Sequence, residues 1–304
     1  MVSIENDNKA SGNEDYDSSE PIVIINCLLN AALMPIAILG NALVLVAIIR
    51  TPAIRSTSML MLCSLAVSDL LVGSIVQPLY IAHHQTKGEV LFLLEGTIGH
   101  AVCGVSFLTI TAITVDRFIA LHYHLRYATL VTKSRVKRTL VSIWFFNFAF
   151  LGFYFWNRRV YRALLGVIIV ICFIVSTVCY ISIYQILRHH LAEIGTQQRA
   201  VQRFNDTNNL PHTGRFKKSV TSTFVFYIAL LICYIPMYIF LILRGPMSMD
   251  WHQEWNFSAT LVFSNSAINP FLYRWRLREL RLAVDKTAKL MLCRKPEEGE
   301  RFSF

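Results

Sequence analysis

The sequence predicts an all-α membrane protein: a seven-transmembrane helix bundle followed by an amphipathic helix on the inner leaflet. Three observations carry that prediction. Of 304 residues, 54% are hydrophobic and only 16% are charged, against roughly 25% charged in soluble domains. Seven stretches (21–49, 56–86, 96–115, 139–157, 163–187, 219–243 and 255–273) carry no formal charge apart from Asp69. Each is long enough for a helix rising about 1.5 Å per residue to cross a hydrocarbon core of about 30 Å. The basic residues alternate in side: 23 of the 29 Lys and Arg fall at the N-terminal end of span two, after spans three, five and seven, or at the inner helix ends. The positive-inside rule therefore puts the N-terminus outside and the C-terminus in the cytosol. This asymmetry accounts for the net charge of +10 without invoking nucleic acid.

Residues 1–20, with six acids and one lysine, are expected as a disordered extracellular tail. Residues 21–273 form the seven-span domain. Span one contains Asn41. Span two contains Asp69, the lone charge between Arg55 and Lys87. Span three carries Ser106 and ends in Asp116-Arg117. That pair reads either as a boundary marker, where a helix leaves the membrane, or as a switch for a cytosolic partner. Only WNRRVYR joins spans four and five, placing Arg158, Arg159 and Arg162 at the outer surface. The inner segment 188–218 is polar, without sustained hydrophobic periodicity, and is expected as a loop.

Span six contains Pro236 with Tyr234 half a turn before it: a hinge, or a static kink. Span seven carries Asn265 and Asn269, four apart and so on one face, with Ser266 beside them and Pro270 following. Polar groups are expensive inside a bilayer. Asn41, Asp69, Ser106, Asn265 and Asn269 at matching depth read either as a site for water and a monovalent cation, or as a hydrogen-bond network that packs helices. Residues 274–293 mix Trp275, Leu277, Leu280, Leu282, Val284 and Leu290 with Arg and Lys at helical spacing, as a helix on an anionic leaflet requires. Cys293 beyond it is either palmitoylated or a plain thiol, and 294–304 are cytoplasmic tail. The seven cysteines suggest no extracellular disulfide. No nucleophile–base constellation, metal-spaced His/Cys cluster or phosphate loop is visible, so no enzyme and no resident metal are expected. Asn256-Phe-Ser is a sequon that abuts span seven.

These residues together resemble the rhodopsin-like (class A) G-protein-coupled receptors. The matching motifs are Gly40-Asn41, LAVSD at 65–69, DRF at 116–118, Trp144, Tyr180, CYIP at 233–236 and NPFLY at 269–273. The resemblance covers about residues 22–293. It implies a plasma-membrane receptor that passes an extracellular chemical signal (small molecule, lipid or peptide) to a heterotrimeric G protein. Arg117 stands in the place of the family's switch arginine, held by Asp116 at rest, with Tyr180 and Tyr273 rebuilding the cytosolic end on activation. Asp69, Ser106, Asn265 and Asn269 occupy positions that in this family coordinate an allosteric sodium ion. Glu95, Gly99, His100, Cys103 and Tyr234 would line the ligand pocket above a core trio of Phe107, Cys172 and Leu230.

The departures inform the assignment further. Phe118 replaces a tyrosine, Tyr234 the toggle tryptophan, Cys172 a span-five proline, and Phe92 the outer cysteine. Features of this kind look nearest to the melanocortin, cannabinoid, lysophospholipid and adenosine branch. Gly99 in place of an aspartate argues against a monoamine, and Phe263 excludes a retinal Schiff base. Glu95 is either a cation partner or an interfacial acid, and Arg158, Arg159 and Arg162 either attract an acidic headgroup or merely flank the membrane. Phe216 stands where some members carry an acid that locks the switch arginine, implying appreciable ligand-independent activity. The alternative reading is an ion-coupled transporter or channel-like protein using Asp69.

Overall fold

The helices run past the charges that delimit the apolar runs. A computed structural model describes residues 4–54, 56–202, 227–240, 252–276 and 278–291. Helix α1 spans Ile4–Arg50, of which Pro21–Arg50 is the apolar membrane-crossing part. Residues 4–20, expected as a disordered tail, instead continue α1 as helix.

Helix α2 spans Thr57–Thr86. Ser56 caps it by accepting the Met59 N–H at 3.4 Å, and a π-helical turn interrupts it at Val72–Val76. Lys87, left-handed at φ 52°, closes it. Helix α3 spans Glu89–His122, and a short helical turn, Tyr127–Leu130, leads to α4, Lys133–Trp156. Asn157 Oδ1 accepts the N–H groups of Arg159 and Val160 and so starts α5, Arg158–Gln202.

Helix α5 overruns its apolar stretch and turns the first half of the expected 188–218 loop into helix; a charged, polar sequence continues a helix readily once an apolar segment has nucleated it. Helix α6 is described over Tyr227–Phe240, α7 spans His252–Arg276 with Pro270 inside it, and α8 spans Arg278–Met291. Phe216, Leu277, Cys293 and the tail 294–304 lie outside the described residues.

By length and composition, α1 to α5 are able to cross a membrane, and α6 is apolar over its described length. α3 is the central post, packing on α2, α4 and α5, while α1 packs on α2, α7 and α8. Two close approaches set this arrangement. A side chain at Gly40 would begin 2.8 Å from the Pro270 ring, so α1 and α7 touch backbone to ring there. One at Gly104 would fall on the Asn147 amide, bringing α3 against α4. Trp144 Nε1 donates to Ser64 Oγ at 3.0 Å, tying α4 to α2. The outer flank of α4 turns Phe145, Phe155 and Trp156 away from the bundle, as a lipid-facing helix does.

The amphipathic α8 divides its apolar residues. Leu280, Ala283 and Val284 are buried against α1 and α2 with Tyr273, whereas Leu282 and Leu290 are exposed. Arg274 meets Asp285 at 2.8 Å across the α7–α8 corner.

Candidate functional site

Three polar or hollow regions lie along the bundle, and the sequence-predicted residues distribute among them.

At mid-depth, Asp69 is fully buried on α2. Its Oδ1 accepts hydrogen bonds from Ser106 Oγ on α3 at 3.2 Å and Ser266 Oγ on α7 at 2.9 Å. Its Oδ2 accepts from Asn269 Nδ2 at 2.8 Å. Ser106 also reaches Ser68 Oγ at 2.9 Å. Thus one carboxylate fastens three helices. Asn41 joins α1 to α7 by donating to the Ser266 carbonyl at 2.9 Å, not by touching the carboxylate. Asn265, on the same helix, is buried with its amide nitrogen lacking a hydrogen-bond partner, while its neighbour Ser266 supplies a hydroxyl to the carboxylate. One residue is about 100° of rotation around a helix, which spacing alone leaves undecided.

A monovalent cation needs oxygen ligands, and the residues present fit one: the Asp69 carboxylate and the Ser106 and Ser266 hydroxyls converge, with the buried, unpartnered Oδ1 of Asn41 nearby. Among the described residues no cluster of three or more His, Cys, Asp or Glu is arranged for a metal ion.

Toward the basic end, Asp116 is buried while Arg117 is partly exposed, and their contact is loose at 3.9 Å. The carboxylate is held more firmly elsewhere. Ser58 on α2 donates to it at 3.0 Å, and Tyr127 in the short turn donates at 2.8 Å. The Tyr127 hydroxyl also lies 3.2 Å from Thr57 Oγ1. The Arg117–Asp116 pair is thus present, as the longest of these three contacts of the acid. Tyr180 accepts from Thr114 at 3.4 Å and packs on Tyr227, ring centroids 4.5 Å apart. Tyr273 packs in the α1–α2–α8 cluster. Pro236 lies in α6, half a turn beyond Tyr234.

At the opposite end is a cavity of about 420 Å³. Glu95, Gly99, His100, Cys103 and Tyr234, the five residues expected there, all line it. The bare Cα of Gly99 lets α3 approach α2, since a side chain there would begin 3.2 Å from Val76. His83 and His84 line it too, as do Asn147 and the sequon residue Asn256. No sequence signal marked Asn147, one polar residue on an aromatic helix. The cavity floor is aromatic: Phe107 meets Tyr234 at 4.8 Å and Phe173 at 5.5 Å. Below it Phe107, Cys172, Leu230, Cys233, Tyr234 and Val262 form one buried cluster, so the expected trio of Phe107, Cys172 and Leu230 is in mutual packing. All six described cysteines are free thiols.

With this geometry in place, the chain matches the model of the family described as 7 transmembrane receptor (rhodopsin family) over residues 40–162 and 153–273. It is also similar to melanocortin receptor 4 of Danio rerio, 25% identical over 276 residues, covering 85% of this chain and 81% of that protein.

Proposed function

The chain belongs to the rhodopsin family of seven-transmembrane receptors, and on that premise we propose that it converts an extracellular chemical signal into nucleotide exchange on a heterotrimeric G protein at the plasma membrane, N-terminus outside. The observation that carries this reading is the double membership of Phe107 and Tyr234. Both line the cavity and both belong to the cluster that ties α3 to α5, α6 and α7. An occupant of the cavity therefore presses on side chains that also set how α6 packs.

Two arrangements of that cluster give a ligand something to select, since a ligand shifts a two-state equilibrium only by its differential affinity. Pro236 lacks the N–H that would brace α6, so the helix bends there at little cost and its inner half swings. Arg117, already poorly held by Asp116, is then released toward the G protein, with Tyr180 and Tyr273 supplying hydroxyls to the opened end. Phe216 in place of an acid leaves Arg117 without a counter-charge from that position, which favours appreciable basal exchange. Sodium, held by Asp69, Ser106 and Ser266, favours the resting arrangement because it ties α2, α3 and α7 together. The family match lends no support to the transporter alternative based on Asp69.

Arg117→Ala tests this reading. It is expected to abolish nucleotide exchange while surface expression persists; unchanged exchange at equal expression contradicts the switch role.

A further inference from the structure

Resting on the reading of α6 as the helix that moves, we propose that Tyr227 is a positioning residue that brakes the receptor. Its hydroxyl ties the inner end of α6 to Thr177 on α5 at rest, and the tie opens when α6 swings. Tyr227 stands nine residues before Pro236, about 13 Å along the helix, so a bend at the proline carries it much further than residues beside the hinge. Its hydroxyl oxygen lies 2.5 Å from Thr177 Oγ1. Thr177 has a single proton, and that proton is directed to the Phe173 carbonyl at 2.7 Å. The Tyr227 hydroxyl is therefore the donor and Thr177 the acceptor.

The same side chain reaches the switch by its ring. Thr177 and Tyr180 are three apart and share a face of α5. The Tyr227 ring packs on Tyr180 with centroids 4.5 Å apart, so it covers that face while its hydroxyl holds Thr177. Tyr180 in turn meets Thr114 on α3 at 3.4 Å, and Thr114 lies one turn before Arg117. One tyrosine thus links α6 to α5 directly and to the switch turn of α3 through Tyr180. Lipid tails offer no hydrogen-bond partner, so a Tyr227 hydroxyl drawn away from Thr177 loses its acceptor. An interaction made in one arrangement and lost in the other shifts the balance toward the first. The resting arrangement gains.

The test uses the full-length receptor in lipid nanodiscs, with native cysteines replaced and spin labels at Leu125 and Ile228, and reads the fraction of molecules with α6 displaced in the absence of G protein. Tyr227→Phe keeps the ring and removes only the hydroxyl. It should enlarge that fraction, and basal nucleotide exchange with it, about threefold, the typical worth of one hydrogen bond between membrane helices. Thr177→Val should match it, the double variant should add nothing further, and Thr177→Ser, which keeps the acceptor oxygen, should restore the parent's values. Tyr184→Phe, on the exposed flank of α5, is the matched control and should change neither. An unchanged displaced fraction in Tyr227→Phe overturns the proposal, even if the melting temperature falls, because a hydroxyl that only packs helices would do no more. Effects that multiply in the double variant overturn it as well. The labels report without a G protein, so a larger displaced fraction with no exchange from any receptor counts against the signalling role and leaves the brake in place.

Discussion

Asp69 shows how much one intramembrane acid organises. Fully buried, it accepts three side-chain hydrogen bonds from α3 and α7, and its polarity amid an apolar run made it visible in the sequence. Asp69→Asn removes the charge a cation requires while leaving a side chain of the same shape. Signalling by that variant should be insensitive to sodium; a response to sodium matching the parent's would reject the ion site. Asp116 teaches the complementary lesson. Its partners Ser58 and Tyr127 are ordinary polar residues near a helix end, with nothing in their spacing to mark them, whereas Arg117 beside it was conspicuous and turns out to touch it loosely. Tyr127→Phe deletes the shortest of the acid's hydrogen bonds, worth about 1.5–3 kcal/mol for a charged acceptor. Basal exchange should rise severalfold, and an assay in which it stays flat or falls would remove Tyr127 from the latch.

The helices themselves were legible in number and order because a bilayer leaves so few backbone solutions. Their ends were not. Charged residues mark where the hydrocarbon stops, but a helix stops only where caps, glycine or proline intervene, so α3 continues to His122 and α5 to Gln202. The π-turn at Val72–Val76 also escaped notice, since no residue type is specific to it.

Close helix approach was equally hidden. Gly40 looked like part of a motif, yet its physical role is to clear the Pro270 ring. A proline ring cannot rotate aside, so Gly40→Ala should destabilise the α1–α7 contact by about 1–3 kcal/mol, seen as a lower melting temperature in detergent; an unchanged value would mean the helices separate freely there. In α8, Leu280 is fully buried and Leu282 exposed. Leu280→Ala should therefore cost about 2–5 kcal/mol of docking and Leu282→Ala far less, a contrast that hydrogen exchange of α8 amides would report.

Taken together, the bundle has a ringed cavity at one end, a polar knot in the middle and a loosely paired cation at the other, with Phe107 and Tyr234 shared between the cavity and the apolar cluster beneath it. Sodium and ligand acting on one equilibrium must influence each other reciprocally. If sodium favours rest, an activating ligand must weaken sodium binding by the same factor that sodium weakens the ligand's. The central claim is movement: the inner part of α6 swings away from α3 when the receptor engages its G protein. Spin labels at Leu125, which is almost wholly exposed, and at Ile228 on α6, in a receptor whose native cysteines are replaced, report that separation directly. The account predicts a distance several ångströms longer in the nucleotide-free G-protein complex than in the receptor alone with sodium. One unchanging distance distribution in both states would contradict it.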